Sequence, residues 1–132
     1  MTKQELRNYT KMSTEITRLE DKIMEIETRL QSAKAPSLAA MPKGGPMTDM
    51  ADKIVYLIDL KTLYEKKWHE LIKERLRIEN AINSLDNTIE RALMGYKYID
   101  GLTWEDVCLK IGYSWERTHY FHKQALKKLK KV

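Results

Sequence analysis

Apolar residues recur at alternating spacings of three and four along the first thirty positions of the chain. The series runs through Tyr9, Met12, Ile16, Leu19, Ile23, Ile26 and Leu30. Because seven residues make almost two turns of an α-helix, this spacing predicts a helix from about Lys3 to Gln31 with a single apolar stripe.

A second and longer series begins after position 48, where either Thr48 or Asp49 is suited to capping a helix. Lys61 and Arg75 interrupt its register, and its members are Ile54, Leu57, Tyr64, Trp68, Leu71, Ile78, Ile82, Leu85 and Ile89. Neither proline nor glycine occurs between this start and Gly95. The pattern therefore predicts one helix of about 45 residues.

The segment between the two series holds all three prolines and two adjacent glycines, which predicts a mobile loop at residues 33–48. Neither stripe can remain in water, so we expect residues 1–85 to form a long antiparallel helical hairpin with coiled-coil-like packing. Leu60, Leu63 and Ile72 lie beside the main stripe and widen the apolar face. That widening indicates a further partner, such as a second copy of the chain in a homodimer through the hairpin.

Residues 86–132 are divided into shorter elements. Thr103 and Asp106 resemble a helix-start signal before a short helix predicted from Trp104 to Lys110, Gly112 suits a tight turn, and Ser114 suits the cap of a final helix. The predicted inward face of the final helix comprises Thr118, Phe121, Ala125 or Leu126, and Leu129. Its other face comprises Trp115, Glu116, Arg117, His119, Tyr120, His122 and Lys123. The predicted fold is therefore all-α, a helical hairpin followed by a helix–turn–helix.

Composition narrows the classes of protein further. Apolar runs are short, the first residues lack the apolar segment of a signal peptide, and Cys108 is the single cysteine, so we expect a cytoplasmic protein with no membrane span. Nearly all of the +5 net charge lies in the last thirty residues, which hold three acidic side chains and seven basic ones: Lys110, Arg117, Lys123, Lys127, Lys128, Lys130 and Lys131. Such a concentration of charge suits a polyanion, although a solvated basic tail has the same composition.

About forty residues of this C-terminal segment resemble region 4 of bacterial sigma factors. The matching pieces are Glu90-Arg91, Tyr98-Ile99-Asp100-Gly101-Leu102-Thr103, Asp106-Val107-Cys108, Gly112-Tyr113-Ser114 and Ala125-Leu126-Lys127-Lys128-Leu129. The resemblance implies a DNA-binding helix–turn–helix. Two positions depart from the family pattern. The family usually has an aliphatic core residue where this chain has Thr118, and a basic DNA-contacting residue where it has His119. The whole layout is similar to the phage-encoded ArpU/RinA-type regulators of late transcription, which implies a phage or prophage protein in a bacterial host.

These observations predict a sequence-specific regulator of transcription that binds double-stranded DNA, is not an enzyme and needs no cofactor. The candidate DNA-binding residues are Ser114, Trp115, Glu116, Arg117, His119, Tyr120, Lys123, Lys127, Lys128, Lys130 and Lys131. His119 and His122 have a spacing that metal ligands use, but no further cluster accompanies them, so we expect no metal site. Two alternatives stay open: a module that acts on RNA polymerase through its sigma-like end, and a small terminase-like subunit for DNA packaging.

Overall fold

The computed structural model describes residues 1–34 and 45–131, and the regular structure in these ranges is entirely helical. Its elements are α1 (Lys3–Lys34), α2 (Gly45–Asn83), α3 (Thr88–Met94), a π-helical turn (Gly95–Ile99), α4 (Trp104–Ile111) and α5 (Trp115–Leu129). The prediction of an all-α chain with two long paired helices and short C-terminal helices is confirmed. The bounds of the loop predicted at residues 33–48 are too wide, because residues 33–34 belong to α1 and residues 45–48 to α2. Residues 35–44, the rest of the predicted loop, lie outside the described residues. Among the described helices, none has a stretch long and apolar enough to cross a membrane.

The chain divides into two compact units, and both long helices contribute to each. The hairpin unit is Thr14–His69, and the composite unit is Met1–Ser13 together with Glu70–Val132. The composite unit therefore joins residues from the two ends of the sequence.

In the hairpin unit, α1 and α2 run antiparallel. Glu15 pairs with Lys67 at 3.3 Å, whereas Glu27, further along α1, pairs with the earlier residue Lys61 at 2.6 Å. Both ion pairs are solvent-exposed and contribute little to stability. The pairing is maintained by the buried apolar side chains between the helices, which include Ile16, Ile23, Leu30 and Leu60.

The inward face of α2 differs from the predicted stripe. Leu60 was expected beside the stripe but is buried, whereas the stripe residues Ile54 and Trp68 are partly exposed. The reason is that Lys61 occupies a stripe position and its charged end must stay in water, so the helix turns Leu60 inward instead. Leu63 remains exposed, and the expected partner on this widened apolar face stays a prediction.

The composite unit has the larger core. Helix α3 packs against α4 and α5, and α4 packs against α5. The largest side chains that are fully buried come from all five helices: Leu6, Ile78, Leu93, Met94, Val107, Thr118 and Leu129. Besides the buried Leu6, polar contacts at the start of α1 include the ion pair of Glu5 with Arg77 at 3.1 Å and the hydrogen bond from the nitrogen of Met1 to the Leu129 carbonyl oxygen at 3.0 Å.

The prediction of one uninterrupted helix from position 48 to Gly95 is wrong. Helix α2 ends at Asn83, and α3 begins only at Thr88. Local side-chain hydrogen bonds explain the break: the Ser84 hydroxyl donates to the Ala81 carbonyl oxygen, and the Asn87 side-chain oxygen accepts from the backbone N–H groups of Ile89 and Glu90 in the first turn of α3. Leu85 is buried between these polar residues, so the break also contributes to the core.

Candidate nucleic-acid interface

Helices α4 and α5 form the helix–turn–helix that the sequence predicts. The Thr103 hydroxyl accepts from the Asp106 N–H at 3.2 Å at the start of α4, and the Ser114 hydroxyl accepts from the Arg117 N–H at 3.2 Å at the start of α5. Gly112 ends α4 with a φ of 76°, in the left-handed region that glycine adopts without strain. Residues 112–114 therefore make a short connection that sets the two helices against each other.

One face of α5 is anchored in the composite unit. Thr118, Phe121, Ala125 and Leu129 are buried, as predicted, and Ala125 rather than Leu126 takes the inward position. The prediction that places His122 on the other face is wrong, since this residue is buried in the structure. Its position four residues after Thr118 turns it inward, and its ring nitrogen Nε2 lies 2.7 Å from the Tyr98 hydroxyl oxygen.

Nearly all of the predicted DNA-binding residues lie at the surface of α5 or of the residues directly before and after it. The exposed ones are Ser114, Trp115, Glu116, Arg117, Tyr120, Lys123, Lys127, Lys128, Lys130 and Lys131, and His119 is half-buried. Trp115 and Tyr120 are each more than half exposed, although large aromatic side chains usually find apolar cover. The arrangement is a rigid helix with a basic and aromatic outer surface.

Arg117 lies against aromatic rings. The carbon atom of its guanidinium group is 5.2 Å from the centre of the Phe121 ring and 5.7 Å from that of Tyr120. Cation–π contacts of this kind reduce the number of conformations that a long side chain samples. The guanidinium is therefore partly preorganised at the start of α5, with its N–H donors still accessible.

A row of rings extends from α5 to the start of α4. The His119 ring lies 4.4 Å from Trp115 and 4.6 Å from Trp104, measured between ring centres, and its Nδ1 lies 2.9 Å from the Trp115 carbonyl oxygen. The ammonium of Lys97 lies 5.0 Å from the centre of the Trp104 ring. His119 therefore acts as a spacer between two tryptophans, and Lys97, which the sequence did not single out, lies at the end of the row.

Lys128 is distinguished from the other C-terminal lysines by a partner. Its ammonium lies 2.9 and 3.1 Å from the two carboxylate oxygens of Glu90, whose side chain is almost completely buried in α3. A buried carboxylate needs a cation or hydrogen-bond donors to offset its loss of hydration. This pairing links α5 to α3 and gives Lys128 a structural role in the composite unit.

Replacing Lys128 with alanine should therefore lower the free energy of unfolding by about 1–3 kcal/mol, because Glu90 would lose its cation. The matched control is Lys127→Ala, which removes an exposed lysine one position earlier and should change the free energy of unfolding by less than about 0.5 kcal/mol. Urea denaturation followed by tryptophan fluorescence measures both. Equal, small changes would show that Lys128 does not stabilise the fold through Glu90.

Burial sets the charge state of His122. Loss of hydration, and then the positive charges of Lys3, His119, Lys97 and Arg7, lower the pKa of His122 from 6.5 to about 4. The ring is therefore neutral at physiological pH, hydrogen-bonded to Tyr98 and unsuited to a charged contact with DNA. Among the described residues, no group of three or more His, Cys, Asp or Glu side chains is arranged to hold a metal ion.

Basic residues of α1 near the start of α4 were absent from the predicted site. Lys3, Arg7 and Lys11 contribute with Lys97 and Trp104 to the lining of one cavity in the composite unit. Their spacing of four residues puts them on one face of α1, and this is the signal that the sequence contains. The spacing alone does not indicate that this face lies beside the helix–turn–helix.

Comparison with known proteins gives one family. A family model described as a protein of unknown function, DUF1492, matches residues 29–130. No curated protein and no solved structure matches the chain. The match includes α2 to α5 and the whole helix–turn–helix, whereas Lys3, Arg7 and Lys11 precede it.

Proposed function

The chain belongs to the DUF1492 family, whose function is unknown, and we propose that its helix–turn–helix binds double-stranded DNA at specific sequences to regulate transcription. One observation carries this proposal: α5 is anchored by one face in a rigid core and offers basic and aromatic side chains on the other. In helix–turn–helix proteins the second helix lies in the major groove, with its first residues nearest the bases. Trp115, Glu116 and Arg117 have this position in α5.

The chemistry of the exposed side chains suggests their roles. Glu116 can accept a hydrogen bond from a cytosine amino group, and Arg117 can donate to guanine. Trp115 and Tyr120 can pack on sugars or on thymine methyl groups, and His119 holds the Trp115 ring. Ser114 contributes by capping the helix.

The lysines of α5, and those directly after it, are the candidates for phosphate contacts. Lys123, Lys127, Lys130 and Lys131 are exposed, and they would supply affinity without sequence information. Lys128 would contact a phosphate only by sharing its ammonium with Glu90, so we assign it a structural role.

The resemblance to region 4 of sigma factors and to the ArpU/RinA-type regulators supports a more specific form of the proposal. In this form the protein is a phage or prophage regulator that acts on late transcription in a bacterial cytoplasm, with RNA polymerase as a second partner. The polymerase contact and the packaging function are separate hypotheses. The DNA experiment below discriminates between the polymerase contact and direct DNA recognition. Size-exclusion chromatography with light scattering tests the packaging function, which a ring of subunits would favour and a monomer or dimer would disfavour.

The decisive experiment is selection of bound duplexes from a random-sequence DNA library, followed by affinity measurements over a series of salt concentrations. We expect one enriched sequence motif and an affinity that falls steeply as the salt concentration rises, because bound phosphates release counterions. A basic peptide of the same charge is the control. If the protein enriches no sequence motif beyond what this peptide enriches, sequence-specific binding is excluded. Capture of RNA polymerase by the protein would then favour the interaction module.

Arg117→Ala should weaken binding to the selected duplex by about 1–3 kcal/mol, or roughly 5- to 150-fold, with a smaller loss on random duplex. The reason is that a base-reading arginine contributes mainly to the preferred site. The control is Arg18→Ala, which removes an equal charge from an exposed position in the hairpin unit. An equal loss on both duplexes would identify Arg117 as a phosphate contact.

A further inference from the structure

A basic cavity lies within the composite unit, beside the start of α4. Its volume is about 360 Å³, which is within the range of sites that bind small groups. Its lining includes Lys3, Arg7 and Lys11 of α1, Lys97 and Tyr98 of the π-helical turn, and Trp104 of α4. Four of its lining side chains are basic and none is acidic.

The cations that α1 contributes to this cavity have no acidic partner among the lining residues. Within the described ranges, Lys3, Arg7 and Lys11 form no ion pair, whereas the neighbouring Glu5 is directed to Arg77. The charges on Lys3, Lys97 and Arg7 also contribute to the lowered pKa of the buried His122, so their field extends into the core. A concave site with an uncompensated field of one sign attracts an ion of the opposite sign.

The cavity adjoins the exposed face of α5 through the row of rings. Lys97 lies over Trp104, Trp104 packs on His119, and His119 stacks on Trp115 near the start of α5. In helix–turn–helix complexes the first helix of the motif crosses the DNA backbone beside the groove that the second helix enters. The start of α4, and with it the cavity, would face the same backbone.

We propose that this cavity receives backbone phosphates of the DNA strand that borders the groove occupied by α5, with Lys3, Arg7 and Lys11 as the phosphate contacts. The inference rests on the proposed function and adds to it. The first three turns of α1 become part of the DNA-binding surface, although they are about ninety residues away from Lys97 in sequence. Lys97 has a mixed role, since its ammonium also donates to the Leu102 carbonyl oxygen at 3.3 Å.

The test is a triple variant, Lys3→Ala with Arg7→Ala and Lys11→Ala, measured on the selected duplex and on random duplex over a range of salt concentrations. Each lost phosphate contact should reduce the slope of log affinity against log salt by about 0.9. Loss of all three proposed contacts should reduce the slope by about 2.7, so the ratio of wild-type to variant affinity should fall roughly 40-fold over a fourfold rise in salt concentration. The loss should be equal on both duplexes, because phosphates carry no sequence information.

The matched control removes one arginine and two lysines from exposed positions of the hairpin unit, Arg18, Lys22 and Lys53, and should leave the slope close to that of the wild type. A second variant, Lys3→Arg with Arg7→Lys and Lys11→Arg, keeps the charges and should bind like the wild type. Thermal unfolding by circular dichroism verifies that all three variants are folded.

Several results would overturn the inference. One is that the triple alanine variant and the charge control have the same affinity and salt slope while Arg117→Ala still weakens binding to the selected duplex. In that case the cavity binds no DNA phosphate and the proposed function stands. If the triple variant loses affinity for the selected duplex but not for random duplex, the cavity does not act through phosphates. If the wild type itself selects no motif and binds no duplex, the proposed function fails and the inference fails with it.

Discussion

Replacing Leu93 with alanine should lower the free energy of unfolding by about 2–5 kcal/mol. Leu93 lies in α3, has no exposed surface, and belongs to the helix that packs against both α4 and α5. Alanine is an excellent helix former, so the loss comes from the apolar contacts and the cavity left behind rather than from a weakened helix. Urea denaturation followed by tryptophan fluorescence measures the change, and Trp104 and Trp115 report on the unit that contains the proposed interface once Trp68 of the hairpin unit is replaced by phenylalanine in both proteins.

The matched control for this variant is Leu109→Ala in α4. Leu109 is 81% exposed, so its removal should change the free energy of unfolding by no more than about 0.5 kcal/mol. Both changes replace leucine with alanine in a short helix of the same unit, and burial is the property that distinguishes them. Similar losses in the two variants would contradict the assignment of α3 to the centre of the core.

The second large effect is a loss of stability in acid that depends on His122. The pKa of His122 is lowered from 6.5 to about 4 in the folded protein, first by burial and then by the nearby positive charges. Between these pH values the unfolded chain binds a proton that the folded protein excludes. The free energy of unfolding should therefore be at its full value above pH 6.5 and decrease as the pH falls toward 4, by up to about 3 kcal/mol.

Comparison with His122→Gln isolates this contribution from that of the carboxylates. Glutamine does not titrate, and its amide oxygen can accept a hydrogen bond from Tyr98, so the variant should be less stable than the wild type at pH 7 and approach it at pH 4. The free energy of unfolding by urea at intervals of half a pH unit gives the difference. Tyr98→Phe should keep most of the pH dependence of the wild type, because burial of the ring is the main cause. Parallel curves for the wild type and His122→Gln would contradict the prediction.

The helix–turn–helix can be predicted from signals that involve only a few neighbouring residues. The caps at Thr103 and Ser114 and the left-handed Gly112 depend on short-range hydrogen bonds and backbone sterics, so the residue types themselves reveal them. The inward face of α5 follows from helical periodicity in the same way. The break after Asn83 is missed because the apolar spacing continues through Leu85 and Ile89. The local signal is nevertheless present, since Ser84 and Asn87 are residue types that favour turns and caps and form such hydrogen bonds here.

For some side chains, tertiary packing and not helical periodicity determines whether they are buried. His122 was assigned to the outer face because histidine is polar, yet the hydroxyl of Tyr98 satisfies its ring and allows it to be buried. Leu60 replaced stripe residues in the core of the hairpin unit because Lys61 had to remain hydrated. In both cases the outcome depends on a partner that lies far away in the sequence or on a competition between adjacent side chains.

The all-helical fold, the helix–turn–helix and the basic outer face of α5 follow from local propensity, capping and periodicity, so the order of residue types is enough to predict them. Which charges act together depends instead on the packing of distant segments. This packing pairs Lys128 with the buried Glu90, and it gathers Lys3, Arg7 and Lys11 around Lys97 beside the start of α4. Such arrangements depend on which distant segments pack against each other, and a spacing of charges along one helix contains no information about its neighbour.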